Sequence, residues 1–525
     1  MVVFILILLM IFRNQAYRNT FRTLNRKIVG FKFDNFQFLS PRSILTATAS
    51  TTSSNDGTER ILIPPKSFKP YPFEYHEELV ITIDELSNNG VGIGRVDLST
   101  RPMNMLPPIE FKEKKSRNRL KSNTEDDDNE DVEVNTRGFV VMVPLVVPGE
   151  RVKVRIYRNF KNYSEADLLE IIERRNDIRV EPQCKYFSSC GGCQYQHINV
   201  EAQREWKQQQ VSELMQRIGG LDITNNDNGD NKTLKVNSVV GTEHHFHYRS
   251  KLTPHYDRPR GMAQVDGTRI GFQRRGTRQL VDVEKCIIGT DAINDAYSQA
   301  RSELKMKWLN GNIPKKGATM LFRDCEEGVA TDNNAFISQK VCDKLFRFRA
   351  SEFFQNNPFV LPLMVEHVLD LAQGDGCTQL VDTYCGSGLF AICGAEHFAH
   401  VSGVEVSHFA VKAAKDNAEL NNIGNAEFMH SSAEAIFAAL DRSTFQADTT
   451  TVVIDPPRKG CDQLFLDQLF EFNPKKLVYV SCDPATQARD TALIVAAGYQ
   501  VTSCTPFDLF PQTRHIENVM SFIRD

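Results

Sequence analysis

From about residue 351 the chain alternates short apolar runs with amphipathic stretches, and each run ends in a residue able to do chemistry. Gln379-Leu-Val-Asp-Thr-Tyr384 leads into Cys385-Gly-Ser-Gly-Leu-Phe390, and His400-Val-Ser-Gly-Val-Glu405 ends in an acid. A third strand is expected within 426–434, and a fourth, Thr449–Asp455, runs into Pro456-Pro457-Arg458. A fifth, Lys-Leu-Val-Tyr-Val over 476–480, breaks into Ser481-Cys482-Asp483-Pro484. Helices are predicted over 359–372 and 407–422, and two further strands from Tyr499 and His515 close the chain. Alternation of this kind predicts an α/β, Rossmann-like doubly wound sheet, with ligands outside the carboxyl ends of its strands. Pro484 cannot continue in a sheet, so Cys482 sits where a strand gives way to a loop. It is either a nucleophile or a small buried hydrophobe; free cysteine is commonly the latter.

At 525 residues the chain needs more than one core. With 41% hydrophobic and 24% charged residues it reads as globular, and a net charge of −4 gives no bulk attraction for nucleic acid. Any nucleic-acid surface must therefore be a local patch. Residues 1–70 are set aside as an N-terminal extension. The first twelve are apolar but too few to span a membrane, and no acid precedes Asp34. This resembles an organelle-targeting presequence, giving a plastid or mitochondrial location; otherwise the protein belongs in the cytoplasm or nucleus. A disordered tail or an inaccurate start is the rival reading. Residues 73–175 show short strands (Glu78–Ile83, 137–147, Arg151–Ile156) around the Gly-rich turn 88–95, a pattern that fits a small OB-like β-barrel. An acidic insertion at 112–131 carries no core-forming residues. The polar face of Arg151–Ile156 is basic.

The central region, 176–350, holds Cys184, Cys190 and Cys193 within ten residues. Three thiolates so close can face one centre, with Cys286 as the best fourth candidate. A four-thiolate 4Fe-4S cluster fits; zinc is the rival, held by the same four or by the first three with His197. Residues 201–218 have helical period, with Trp206, Val211, Leu214, Met215 and Ile218 on one stripe. Tyr248-Arg-Ser-Lys251 and Gly271-Phe-Gln-Arg-Arg-Gly276 place cations beside aromatics, which suits RNA but equally an ordinary strand face.

In the region 351–525, Gly386-Ser-Gly388 after the first strand and Glu405 ending the second suit an adenosine-containing cofactor. The third glycine of the dinucleotide fingerprint is missing, which favours S-adenosyl-L-methionine over NAD. With these features the chain resembles the RNA uracil-5 (5-methyluridine) methyltransferases of tRNA and rRNA over residues 75–525. The resemblance rests on Gly90-Val-Gly-Ile-Gly-Arg95, which looks like a TRAM domain, and on the four cysteines, similar to the 4Fe-4S site of cluster-bearing members. It rests also on Phe353-Phe354-Gln355-Asn356-Asn357, Asp382-Thr-Tyr384, Asp455-Pro-Pro-Arg458-x-Gly460, Ser481-Cys482-x-Pro484-Ala-Thr486 and Gln512-Thr-x-His515-x-Glu517.

The resemblance implies that Gln355, Tyr384, Glu405 and Asp455 bind S-adenosylmethionine, that Cys482 is the nucleophile and that Glu517 is the general base. It implies a tRNA or rRNA partner, with a base splayed from its stack. A monomer with no stable membrane association is expected. It also implies that the helix near 199–218 packs with the catalytic domain. Three departures stand out: Asp483 where Asn is usual, Leu389 where Asn is usual, and Ser432 where many members place an acid. A carboxylate beside Cys482 would raise its pKa unless it points elsewhere. Cytosine-5 and amino-group methyltransferases fit worse, because Pro-Cys and Thr-Cys sites are absent and Arg458 follows Asp-Pro-Pro. The remaining alternative is an iron–sulfur RNA-binding or RNA-folding module whose methylation is vestigial.

Overall fold

Apolar alternation with period two builds the first element of the computed structural model, which describes residues 64–66, 68–69, 71–99, 138–223, 234–431, 436–437 and 440–524. Strands β1 (Glu78–Leu86), β2 (Gly92–Val96), β3 (Phe139–Val143), β4 (Arg151–Asn159) and β5 (Tyr163–Glu173) close a barrel in the order β1-β2-β3-β5-β4. Closure comes from β3 and β5, which pair in parallel, and leaves no open edge. Alternate residues point inward: Ile81 and Ile83 from β1, Val152, Val154 and Ile156 from β4. Gly92 is needed because a Cβ there would lie 2.1 Å from Val146. The sequence placed a turn over 88–95; the turn is confined to 87–91, and Gly92 begins a strand. The basic face of β4 is not a free cationic surface either. Lys153 pairs with Glu78 at 2.7 Å, Arg151 with Glu173 at 3.2 Å and Arg155 with Asp167 at 3.9 Å. The predicted presequence and acidic insertion lie outside the described residues.

Helix α1 (Val200–Arg217) follows, N-capped by Asn199. The apolar stripe read from sequence is only part of its buried face. Val211 and Met215 are buried, but so are Gln203, Lys207 and Gln210, while Ile218 is exposed. The reason is that α1 docks through polar groups. Lys207 and Asp508, both fully buried, pair at 2.6 Å, and Gln203 exchanges hydrogen bonds with Gln512. The helix thus packs against the C-terminal region, as the resemblance implied. The hairpin β6 (Ile270–Gln273) and β7 (Leu280–Asp282), helix α2 (Asp291–Leu309) and the hairpin β8 (Phe336–Val341) and β9 (Lys344–Arg349) complete the middle of the chain.

The last third is the expected α/β sheet. Its strands are β10 (Gln379–Thr383), β11 (His400–Glu405), β12 (Ala426–His430), β13 (Thr450–Ile454), β14 (Lys476–Ser481), β15 (Gln500–Phe507) and β16 (Glu517–Ile523). They lie in the order β12-β11-β10-β13-β14-β16-β15, with the first five parallel and β16 antiparallel to both neighbours. Helices α3 (Leu361–Ala372), α4 (Leu389–Gly394), α5 (His408–Leu420), α6 (Gln463–Phe472) and α7 (Pro484–Ala496) cover it. β13 and β14 are buried along their whole length, which is why they read as continuous apolar runs. Two large apolar clusters lie against the sheet, one including Val365, Leu380 and Val480, the other Phe465, Tyr479 and Met520. At about 1.5–3 kcal/mol per fully buried side chain these clusters supply most of the domain's stabilisation. No helix among the described residues is long and apolar enough to cross a membrane.

Candidate active site

The sheet brings four of the six predicted catalytic and cofactor residues to one edge. Tyr384 follows β10, Glu405 ends β11, Asp455 follows β13 and Cys482 follows β14. Because β16 runs antiparallel to β14 and pairs Asn518 with Ser481, its first residue, Glu517, stands at the same edge beside Cys482. A sequence reader sees 34 residues between this pair; the register brings them together. Gln355, the sixth, is buried just after Phe354, which stacks on Phe348 at 4.5 Å. Its neighbour Asn357 is structural: it donates to the Leu509 carbonyl at 2.9 Å and caps the turn before α3.

The first-strand loop is shaped for close backbone approach. Gly388, at φ 92°, adopts a conformation that residues with side chains avoid. Glu405 is held there: Oε2 accepts from the Gly386 amide at 3.2 Å and Oε1 from the Ser407 amide at 2.8 Å. Leu389 packs against the apolar core at the start of α4 rather than offering a polar group. Ser432 lies outside the described residues. Beneath the loop Asp382 is fully buried; Oδ2 accepts from the Ala391 amide at 2.9 Å and Oδ1 has no partner. Burial holds its carboxyl well above the usual range, with Asp455 and Glu405 adding to the effect.

Around Cys482 the thiol and the Glu517 carboxyl share one cation, Arg458. Burial pushes the Cys482 thiol up to about 12, and Glu517 and Asp455 push the same way. Arg458, whose guanidinium hydrogen-bonds the sulfur, opposes them. Glu517 is itself held well above the carboxylate range by burial and by Asp455, again opposed by Arg458. Burial raises Asp455 to about 7. In the sequence Arg458 entered as part of the Asp455-Pro-Pro-Arg458-x-Gly460 motif and as a departure from amino-group methyltransferases, with no role of its own. Its place as counter-charge to both the thiol and the acid was missed, although the Asp-Pro-Pro-Arg loop at the end of a buried strand was the available signal.

Two motifs are physically tied here. Thr486 Oγ1 donates to the Arg458 carbonyl at 3.1 Å, and Arg489 donates to the carbonyls of Lys459 and Cys461, both at 3.1 Å. The Pro-Ala-Thr segment therefore holds the Arg458 loop in place. Asp483 corrects an expectation. Its carboxylate caps α7, with Oδ1 accepting from the amides of Ala485 at 3.1 Å and Thr486 at 3.4 Å, and it is absent from the influences on the Cys482 thiol.

Cys482 opens into a cleft of about 230 Å³, lined among others by Arg458, Arg514 and His515 and by Asn88 and Asn89 of the barrel turn. Arg514 fastens that turn, donating to Asn89 Oδ1 at 2.7 Å and to the Asn88 carbonyl at 3.3 Å. Burial and the surrounding cations Arg458, Arg514, Lys207 and Arg249 hold His515 down at about 3, so its ring is neutral near pH 7. The cleft therefore presents two arginines and one neutral imidazole, with Asp483 committed to its helix cap.

The four cysteines influence one another electrostatically. Burial raises Cys193 to about 12, with Cys286, Cys190 and Cys184 adding to it, and burial raises Cys286 to about 11, with Cys190 and Cys184 adding. Amides of Ile288 and Gly289 point at the Cys286 sulfur and that of Gly192 at Cys190, which favours thiolates. Arg275, beside Cys193 and Cys190, has a buried Nε without a partner. No group of three or more His, Cys, Asp or Glu side chains among the described residues is drawn together tightly enough to hold a single ion. His197, read as a rival fourth ligand, instead packs its ring against Phe187 and bonds the Val146 carbonyl through Nε2 at 3.2 Å. The loop after Cys193 touches the catalytic loop directly. The amides of Gln194 and Tyr195 donate to the Gln512 carbonyl, both at 3.0 Å, and Gln194 Oε1 accepts from the Arg514 amide at 3.2 Å. Tyr248 and Lys251, weighed as RNA contacts, are used internally: Tyr248 donates to Pro511 and Lys251 to Ser351 and Glu352.

The model of the tRNA (uracil-5-)-methyltransferase family matches residues 292–524. A tRNA (uracil(54)-C(5))-methyltransferase of Schizosaccharomyces pombe is 34% identical over 476 residues, spanning 86% of this chain and 79% of that protein. The protein of the same name from Saccharomyces cerevisiae is 28% identical, spanning 95% and 83% respectively. The solved Pyrococcus abyssi tRNA (uracil-54, C5)-methyltransferase, in complex with S-adenosyl-L-homocysteine, superposes with a TM-score of 0.57 at 21% identity. It covers 85% of this chain and 100% of its own, and it supports the S-adenosylmethionine-dependent methyltransferase fold. By its sequence likeness along most of its length, and with this fold beneath it, the chain belongs to the tRNA (uracil-5-)-methyltransferase family.

Proposed function

We propose that this protein methylates carbon 5 of a uridine in tRNA, at the position 54 for which its fungal relatives are named, with Cys482 as nucleophile and Glu517 as base. The observation that carries the reading is the Cys482–Glu517 pair at one strand edge, sharing Arg458. Uracil carbon 5 is a weak nucleophile until the ring is activated. Bonding of the Cys482 sulfur to carbon 6, with loss of the thiol proton, pushes the ring electrons toward an enolate whose carbon 5 can attack. Arg458 favours the thiolate that makes this bond, and the cations of the cleft favour the enolate oxygen. S-adenosylmethionine, held by Gln355, Tyr384, Glu405 and Asp455, supplies an electrophilic methyl group. The carbon-5 proton then passes to Glu517, and the electrons left behind expel the Cys482 sulfur. Glu517 must be ionised at that moment. It shares the counter-cation Arg458 with Cys482, so its ionisation is easiest while the sulfur is covalently bound and uncharged.

We also propose that Cys184, Cys190, Cys193 and Cys286 hold a 4Fe-4S cluster. Mutually coupled thiols, amides aimed at sulfur and the unpartnered Arg275 Nε fit a compact anionic group. A cluster carries each thiolate on a separate iron, which suits sulfurs spaced too widely for one ion. Iron and acid-labile sulfide in the purified protein, lost in Cys193→Ser, would support this; stoichiometric zinc in their place would refute it.

The main test uses tRNA carrying 5-fluorouridine at position 54, where fluorine blocks the last proton transfer. Wild type should form a denaturation-resistant RNA adduct that Cys482→Ala cannot form. Glu517→Gln should form an adduct with ordinary tRNA and release it slowly. Absence of any adduct with wild type would sink the reading. The alternative of a vestigial RNA-binding module would draw on the departures at Asp483 and Leu389, of which Asp483 serves as a helix cap.

A further inference from the structure

An exposed ladder of aromatic rings and guanidinium groups runs along the outer face of β8, β9 and α5. Phe336 on β8 pairs in register with Arg349 on β9, and Arg347 lies two residues away on the same face. Arg347 sits over the Phe336 ring at 5.8 Å and Arg349 at 5.6 Å. Arg349 also sits 5.6 Å over Phe409 of α5, so one guanidinium bridges two rings from separate elements. The rings are uncovered: Phe336 is 56% and Phe409 67% exposed. Neither arginine has a carboxylate partner among the described residues, although the neighbouring cations do, Lys340 with Asp343, Lys344 with Glu396 and Lys412 with Asp416.

Single exposed apolar residues are ordinary. Two open rings interleaved with two unpaired guanidinium groups are a different chemistry. The faces can take a base by stacking, and the cations can take the adjoining phosphate. Position matters as well. β9 leads within six residues to Gln355, and Phe409 lies four residues past Glu405, so the ladder borders the cofactor end of the active site. The net charge of −4 leaves RNA to be gathered by such local features.

We propose that Phe336, Arg347, Arg349 and Phe409 form a stacking site for an unpaired base of the substrate tRNA and its flanking phosphate. The inference rests on the proposed tRNA substrate, and it names a surface outside the proposed catalytic and cofactor residues themselves. The site fixes the RNA beside the cofactor while the target uridine enters the Cys482 cleft.

The test is tRNA binding by the full-length protein, followed by fluorescence anisotropy at several salt concentrations. Phe336→Ala and Phe409→Ala should each weaken binding by about fivefold or more, the scale of one lost base stack. Arg349→Ala should weaken binding and reduce the salt slope by about one phosphate contact. Phe336→Trp should restore affinity, because it restores a stacking face. S-adenosylmethionine binding by calorimetry should be unchanged in all four variants. Unchanged tRNA affinity in variants that still bind the cofactor would refute the site, as would equal loss of cofactor and tRNA binding, which marks a structural role. Failure of wild type to methylate any tRNA uridine would overturn the proposed function instead, and the binding series distinguishes the two failures.

Discussion

Asp455→Asn should stabilise this protein at neutral pH while impairing it as an enzyme. Burial holds the Asp455 carboxyl at about 7, against about 4 in an unfolded chain. Between those values the native state keeps a proton that the unfolded state has released. Stability attributable to this group is therefore greatest below about pH 4 and falls as pH rises to about 7. Three units correspond to a ceiling of about 4 kcal/mol at pH 7. The Asp455 side chain keeps partial contact with solvent, which brings the expected figure to about 2 kcal/mol. The coupling adds in the same direction, because Asp455 also raises Asp382 and Glu517. Asn removes the titration and nearly preserves the shape. Melting temperatures of wild type and variant, measured from about pH 4 to about pH 8, should converge at the acid end and separate toward neutrality, with the variant higher. Residual methylation should be strongly reduced, since one of the proposed S-adenosylmethionine-binding groups is lost. A variant less stable than wild type at pH 8, or a difference independent of pH, would show that the Asp455 carboxylate is well paired and that the reasoning is wrong.

Asp483→Asn should leave adduct formation within about twofold of wild type, whereas Asp483→Ala should lose about 1 kcal/mol of stability through the helix cap; a large rate gain in the Asn variant would mean the carboxylate burdens Cys482 after all. Lys207→Ala should cost about 3 kcal/mol, because it leaves buried Asp508 with only the longer Arg204 contact at 3.7 Å, and the double variant with Asp508→Asn should recover much of that loss in chemical denaturation. Gln194→Ala should lower kcat about tenfold with cofactor affinity and iron content unchanged, because Gln194 positions the Arg514 backbone; hydrogen exchange of residues 511–516 should rise in parallel, and unaltered exchange would refute the link.

The sheet was legible because burial on both faces leaves short β-branched and apolar runs such as Thr450–Ile454, several of them broken by a loop with Gly or Pro. Cys482, Glu405 and Asp455 were legible for the same reason, since the ends of parallel strands are where such a fold exposes chemistry. Glu517 needed the resemblance, because only the antiparallel insertion of β16 beside β14 explains why a residue near the C-terminus stands beside Cys482. The face of α1 was misread because periodicity scores apolar residues, and this helix buries Gln203 and Lys207 against specific partners on the catalytic loop. A buried polar face has no signature in a single sequence; it is defined only by the groups that satisfy it.

The groups that satisfy these buried polar residues also extend the active site. Read along the chain, the barrel, the cysteine region and the sheet are three successive segments. In the fold, the segment 508–516 is gripped from three sides. Lys207 of α1 pairs with Asp508, the Gln194 loop binds Gln512 and Arg514, and Arg514 in turn fastens the barrel turn at Asn88 and Asn89. His515 and Glu517 follow directly from that segment. A catalytic group must be held within about half an ångström of its working position, and a loop gains such precision only from the neighbours that lock it. The cysteine loop and the barrel turn therefore belong to the catalytic apparatus as positioning elements, although neither supplies a reacting atom. It follows that damage to the four-cysteine region should reach the uridine through Gln194 and Arg514, rather than through any chemistry of the thiols themselves.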